Sequence, residues 1–246
     1  RMTDNAKLKL AWRIGLPHYE TEVAFKRLLT VIRRQRPVMD ELALFETITH
    51  YQYTPLDLYA RRMERAAECM EALRREGIPS VGVNVLCTLG HVNEAWSTLP
   101  PLPFQPMVGH DGSVSKSCAC PNTPEFQAHI RAKYALVAGA RPDFIWVDDD
   151  IRMHHHGVAW GCFCDTCLRL FAAKARRRWT RARLVEAFHQ PAQTALRRMW
   201  VDQNIESIER LMSLIADAVQ AVDRSVALGL MTCGPGWTTY SGMAFD

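Results

Sequence analysis

Residues 142–171 read PDFIWVDDDIRMHHHGVAWGCFCDTCLRLF and join a strand to two candidate sites. The apolar run at 144–147 is typical of a parallel strand that is covered on both faces. Three carboxylates follow it directly, at Asp148, Asp149 and Asp150. In parallel α/β folds the carboxyl ends of the strands present the catalytic groups. The stretch therefore predicts a site at the carboxyl edge of a parallel sheet.

Strands and helices alternate along the rest of the chain. Strands are predicted at 8–16, 40–45, 81–86, 144–147 and 226–231. Helices are predicted at 22–34, 55–76 and 124–138, in a short segment that ends at Lys174 and is followed by a basic connection, and at 192–222. This alternation is the mark of an α/β fold with a parallel sheet. A loop of about thirty residues, rich in proline and glycine, follows the third strand, and such loops usually build a site.

Five strands in this order predict an incomplete (β/α)8 barrel of the TIM type, and an open α/β sheet is the alternative. A complete barrel with loops this long needs well over ~250 residues, whereas this sequence has 246. We therefore expect residues 1–246 to form the N-terminal part of one catalytic barrel domain.

Composition excludes several classes of protein. With 48% hydrophobic residues the chain can bury a substantial core without disulfides. The net charge of +4 owes much to arginines at 176–183, which lack aromatic interleaving or a recognition motif, so we expect no nucleic-acid partner. The sequence contains no stretch of about 18 apolar residues, so we expect no membrane span. Clustered thiols and the lack of an apolar leader favour a cytoplasmic location, while a homo-oligomer is left open.

Cysteines are clustered in a way that indicates a metal. Cys162, Cys164 and Cys167 lie within six residues, and the pair Cys118 and Cys120 offers a fourth ligand. Structural zinc prefers four such ligands in a closed tetrahedral set, with no position left for water. We predict a structural zinc between loops near 118–120 and 162–167, with Cys120 as the preferred fourth ligand and Cys118 as its alternative. Free thiols or a redox pair are the other interpretations.

The three aspartates can do acid–base chemistry. Because strand residues alternate faces, Asp148 and Asp150 should point one way and Asp149 the other. Crowded carboxylates raise each other's pKa, so one can stay protonated as a general acid. A magnesium or calcium site and ion pairing with Arg152 are the alternatives.

The order of these motifs resembles that of the β-galactosidases of glycoside hydrolase family 42. The resemblance covers about residues 115–171: a Cys120-Pro121 turn, a helix, a strand ending in V-D-D-D, and a C-x-C-x-x-C cluster. In that family the turn and the cluster bind zinc, and the strand ends in V-D-N-E with the acid/base glutamate. The resemblance implies that Asp150 is the acid/base, and that Asp148 and Asp149 match the Asp and the Asn. It implies a nucleophile on a seventh strand, beyond residue 246.

The D-D-D-I-R sequence at 148–152 and the Gly90-His91 loop resemble uncharacterised hydrolase-like relatives of family 42 more closely than the β-galactosidases themselves. We therefore do not predict a preference for galactosides. We predict a glycoside hydrolase in which Asp150 protonates the glycosidic oxygen of an oligosaccharide or glycoside, while Asp148 and Asp149 orient it or bind hydroxyls. Other residues are predicted to line the sugar pocket: Arg13, Glu46, Asn84, His91, Arg152, His156 and Trp237. The rival predictions are a metal-dependent hydrolase or lyase that uses Asp148 to Asp150 as ligands, and a non-catalytic carbohydrate-binding barrel.

Overall fold

A parallel sheet of five strands forms the centre of the molecule in the computed structural model. The structure describes residues 9–35, 38–48, 51, 53–90, 101–153 and 157–231. The strands are β1 (Ala11–Ile14), β2 (Glu41–Phe45), β3 (Ser80–Val85), β4 (Pro106–Val108), β5 (Val114–Ala119), β6 (Phe144–Val147) and β7 (Ala227–Leu230). The helices are α1 (Glu22–Gln35), α2 (Leu56–Arg75), α3 (Pro124–Gly139), α4 (Asp165–Lys174), α5 (Arg181–Phe188) and α6 (Thr194–Gln220). None of the described helices is long and apolar enough to cross a bilayer.

The strand order is the one that a barrel wall requires. The sheet runs β1-β2-β3-β6-β7, and every neighbouring pair is parallel. Consecutive strands joined by helices are therefore neighbours, which confirms the predicted parallel α/β sheet. Closure into an eight-stranded barrel stays a prediction.

The core fills the space between the sheet and its helices. In α2 the buried side chains recur mostly every three or four residues and so form one apolar stripe along the helix. They are Tyr59, Met63, Ala66, Cys69, Met70 and Leu73. Burying each of the larger ones contributes about 1.5–3 kcal/mol relative to an exposed position.

Two elements differ from the sequence-based expectation. The long loop after β3 contains an antiparallel hairpin of β4 and β5, where only irregular structure was expected. The segment between α4 and α6, which carries the arginines at 176–183 and was expected to be a connection without regular structure, contains the helix α5. Its N-cap Thr180 accepts a hydrogen bond from the backbone N–H of Arg183. Arginine is a good helix former, and the one buried residue of α5, Leu184, joins a small second core with Phe171 and Trp200.

Gly82 in β3 is held against the neighbouring strand. A Cβ at this position would lie 2.4 Å from the carbonyl oxygen of Phe144 and 2.5 Å from its ring. We expect Gly82→Ala to lower the free energy of unfolding by about 1–3 kcal/mol in urea titrations, since the backbone of the sheet would have to shift. Gly139→Ala is the control, because a Cβ there meets nothing within 4 Å. Equal stability of the Gly82 variant and the wild type would contradict the packing described here.

Candidate active site and cysteine cluster

Asp148 joins the carboxyl ends of three strands. Its Oδ2 accepts hydrogen bonds from Arg13 Nη2 of β1 at 2.9 Å and from Asn84 Nδ2 of β3 at 2.8 Å. Its Oδ1 accepts the backbone N–H of Asp149 at 2.8 Å. Three of the residues predicted to form the site are thus in direct contact. The arrangement keeps a carboxylate, a guanidinium and an amide fixed at one edge of the sheet.

Asp150 is held more tightly than its neighbours. It is 1% exposed, and its Oδ2 accepts the backbone N–H groups of Thr88 at 2.7 Å and Gly90 at 2.8 Å. Gly90 has a φ of +103°, and a Cβ there would lie 2.5 Å from the carbonyl oxygen of Ser117, so only glycine fits. Asp150 Oδ1 is buried and has no hydrogen-bond partner among the described residues.

Burial determines the protonation of Asp150. Loss of solvation raises its pKa to about 8, although the two N–H groups favour the charged form and oppose this shift. Because Oδ2 accepts both N–H groups, Oδ1 is the oxygen left to carry the proton. Asp150 is therefore a neutral carboxylic acid at neutral pH, with its O–H not used by the described residues.

Asp149 is more exposed than Asp148 and Asp150, which are both buried. Asp149 and Asp150 lie in a turn after β6, so the predicted alternation of faces stays a prediction. The side chain of Asp149 is 42% exposed, and its Oδ2 lies 3.2 Å from Nη1 of Arg152. Arg152 is itself buried and also donates to the backbone carbonyl of Asp149. Within the described part of the chain, the only His, Cys, Asp or Glu ligands that converge are four cysteines. The three aspartates therefore do not converge as one set of metal ligands among the described residues.

Glu46 was predicted to contact sugar, but the structure places it in the interior with no exposed surface. Its Oε2 accepts the backbone N–H of Leu86 at 2.8 Å, and its Oε1 lies 3.5 Å from Nζ of Lys133. Burial raises the pKa of Glu46, and Lys133 opposes the shift. In the sequence Lys133 reads as one more polar residue of α3, so its burial could not be predicted.

Three further predicted residues lie outside the described residues. They are His91, His156 and Trp237. Their predicted contacts with sugar stay predictions.

Four cysteines meet in one buried cluster. The Sγ atoms of Cys120, Cys162, Cys164 and Cys167 all lie within 4.8 Å of one another. Two of the pairs are 3.4 Å and 3.6 Å apart. Zn–S bonds of about 2.3 Å in a tetrahedron place the sulfur atoms about 3.8 Å apart. The set therefore has the donors and the spacing to hold a metal ion, and it contains Cys120 rather than Cys118.

The local fold supports this cluster. Cys120 follows β5 directly, while Cys167 lies in the first turn of α4. The backbone N–H of Val108 donates to Cys162 Sγ at 3.4 Å, and Nδ2 of Asn122 donates to Cys167 Sγ at 3.3 Å. Such outer hydrogen bonds orient thiolate ligands.

The thiols of this cluster shift one another's pKa values. Hydrogen bonds from the surrounding thiols lower the pKa of Cys164, and the same contacts raise the pKa values of Cys120 and Cys167. A second negative charge in so small a space is opposed unless a cation is present. The donor set therefore fits a dication.

The stability of the protein should depend on the proton of Asp150. Folded Asp150 keeps its proton up to about pH 8, whereas the unfolded chain releases it near 3.8. Between these two pKa values the folded state binds more protons than the unfolded state does. Asp150 therefore makes the free energy of unfolding fall as pH rises, by about 1.4 kcal/mol per pH unit. We expect the free energy of unfolding of the wild type, relative to Asp150→Asn, to decrease between about pH 5 and about pH 7. A constant difference would mean that Asp150 is ionised in the folded protein.

The fold is shared with solved structures of carbohydrate-active enzymes. The glycoside hydrolase domain of PgaB (BpsB) from Bordetella bronchiseptica is 14% identical, with 97% of this chain and 70% of that chain covered and a TM-score of 0.63. The β-amylase catalytic domain from Paenibacillus polymyxa is 11% identical, with 96% and 72% covered and a TM-score of 0.63. A β-galactosidase from Rahnella sp. R3 is 14% identical, with 92% and 36% covered and a TM-score of 0.56.

No family model matches the sequence, and no curated protein matches it. The chain spans just over a third of the length of the Rahnella β-galactosidase. At these identities the likeness is one of fold. The parallel α/β architecture of this chain is that of glycoside hydrolase domains.

Proposed function

We propose that this chain belongs to a glycoside hydrolase in which Asp150 is the general acid/base. One observation carries the proposal: a carboxylic acid that is neutral at neutral pH follows the fourth parallel strand, β6, with one oxygen fixed and the other unused by the described residues. A raised pKa is what lets one carboxyl act as the acid beside an ionised neighbour. The shared fold and the resemblance of residues 115–171 to family 42 enzymes support this assignment.

In the proposed reaction, Oδ1 of Asp150 gives its proton to the glycosidic oxygen as the bond to the sugar breaks. The two N–H groups on Oδ2 then stabilise the carboxylate that forms. Because Oδ1 is buried in the free protein, the mechanism requires that substrate binding uncovers it. In this proposal the more exposed Asp149 and Arg13 bind sugar hydroxyls, while the hydrogen bonds from Arg13 and Asn84 keep Asp148 oriented.

The second carboxylate of the reaction belongs, in this proposal, to a later strand of an eight-stranded barrel. A retaining enzyme would place it about 5–5.5 Å from Asp150, and an inverting enzyme about 6.5–9.5 Å away. We further propose that the four cysteines bind zinc. Four thiolates give a closed site with no water ligand, so the ion would fix the loop after β6 and supply no chemistry.

One observation favours a second function. A catalytic acid must touch its substrate, yet Asp150 is 1% exposed. A carbohydrate-binding barrel without turnover would show the same burial.

The test is an activity screen of the full-length protein against aryl glycosides and oligosaccharides, with product analysis by chromatography. We expect hydrolysis of at least one class of glycoside, and its loss in Asp150→Asn. Sugar binding by calorimetry without turnover would favour the binding protein instead. If the protein neither binds nor hydrolyses any carbohydrate tested, both proposed functions are refuted.

A further inference from the structure

A single peptide group connects a buried ammonium to the proposed acid. The carbonyl oxygen of Cys87 accepts a hydrogen bond from Nζ of Lys133. The N–H of the same peptide, on Thr88, donates to Oδ2 of Asp150 at 2.7 Å. Lys133, the 87–88 peptide and Asp150 therefore form one continuous chain of hydrogen bonds.

Both ends of this chain are removed from water. Lys133 is 3% exposed, lies 3.5 Å from Oε1 of Glu46, and sits 4.9 Å from the ring centroid of Tyr59. Glu46 also accepts the backbone N–H of Leu86, while Lys133 donates to the carbonyl of Cys87. The ion pair therefore binds two successive residues of the backbone after β3. A buried ion pair is weak grounds for stability, because desolvation offsets most of its attraction. Because this ion pair lies next to Asp150, we infer that it has a role other than stability.

That role follows from the polarity of a peptide. An ammonium on the carbonyl oxygen withdraws electrons from the peptide nitrogen, so its N–H becomes a stronger donor, and hydrogen bonds in a chain strengthen one another. We propose that Lys133 is a positioning residue that acts through the Cys87–Thr88 peptide, fixing Oδ2 of Asp150 as the acceptor and limiting how tightly Oδ1 holds its proton. The inference rests on the proposed function only where it says that this proton is used in catalysis.

Other groups that face Asp150 do not supply the same effect. Asp148, directly after β6, raises the pKa of Asp150 and so acts in the opposite direction. Burial raises the pKa of Cys118 on β5 to about 12, and it raises those of Cys87 and Tyr134 well above their usual values, so all three stay neutral while Asp150 titrates. Arg152 also lies in this region, but its Nη1 is bound to Asp149.

The experiment follows the titration of Asp150 by 13C NMR in the full-length protein labelled at the aspartate carboxyls. Asp150→Asn identifies the resonance. The double variant Glu46→Gln with Lys133→Met removes the cation without leaving a buried, unpaired charge. We expect it to raise the pKa of Asp150 by about one pH unit, as an opposite charge near a carboxyl normally lowers it by one unit or more. The matched control is Glu206→Gln with Lys174→Met, which removes an exposed ion pair and should leave the titration unchanged.

An unchanged Asp150 pKa in the folded double variant would overturn the proposal. If that variant does not fold, Glu46→Gln with Lys133→Gln keeps a donor for the Cys87 carbonyl and is judged by the same criterion. The wild type gives a further test, since the carbonyl 13C shift of Cys87 should follow the titration of Asp150. A Cys87 signal that does not respond would also overturn it.

Activity separates this inference from the proposed function. If the protein hydrolyses glycosides, the basic limb of its pH profile should move to higher pH in the double variant, by the same amount as the NMR midpoint. A protein without glycosidase activity refutes the proposed function, and the NMR titration alone then decides the role of Lys133.

Discussion

Asp150→Asn is expected to lower kcat/KM for glycoside hydrolysis by about 10²–10⁴-fold, the usual contribution of a general acid. Asparagine keeps the size of the side chain and an oxygen for the N–H groups of Thr88 and Gly90, but it has no proton to give to the leaving group. The loss should be largest for substrates with poorly acidic leaving groups and smallest for activated aryl glycosides. Steady-state rates on a series of aryl glycosides measure this dependence.

The matched control for this variant is Asp202→Asn, an exposed position on α6. It should retain wild-type rates on every substrate. An Asp150→Asn protein with full activity would exclude Asp150 as the acid. An equal loss on all leaving groups would point to binding rather than proton transfer.

The second large effect is expected at the cysteine cluster. Cys164→Ser should abolish tight zinc binding, because a hydroxyl, which is a much poorer zinc ligand than a thiolate, replaces one of four converging thiols. Loss of a structural metal is among the few single changes that destabilise a protein by on the order of 4 kcal/mol. Metal analysis of the purified protein and thermal unfolding measure both consequences.

Cys118→Ser is the matched control, since Cys118 is equally buried but lies outside the cluster. It should keep one zinc per chain. A Cys164→Ser protein with wild-type metal content and melting temperature would refute the zinc assignment, as would a wild type that binds no metal and has four freely reactive thiols.

The order of the parallel strands could be predicted because most of them are short, largely apolar runs that alternate with helices along the chain. The aspartates after β6 could be placed at the carboxyl edge for the same reason. The fourth cysteine was found by spacing and family resemblance, and the structure chooses Cys120 over its neighbour by bringing its sulfur to the other three. These signals lie within short stretches of sequence.

The features that could not be predicted from the sequence depend on contacts between segments that are distant along the chain. β4 has three residues and begins with proline, so no periodicity marks it. The burial of Glu46 and Lys133 depends on α3 packing near the ends of β2 and β3, and either charge alone reads as a surface residue. The fixed geometry of Asp150 likewise depends on backbone N–H groups 60 and 62 residues earlier in the chain.

The pH dependence of kcat/KM for glycoside hydrolysis by the full-length protein tests the central claim most directly, because this ratio reports the pKa values of the free enzyme. We predict a basic limb with a midpoint near the Asp150 pKa of about 8, since activity requires that carboxyl to be protonated. A basic limb close to the ordinary pKa of aspartate, or one that persists unchanged in Asp150→Asn, would contradict it.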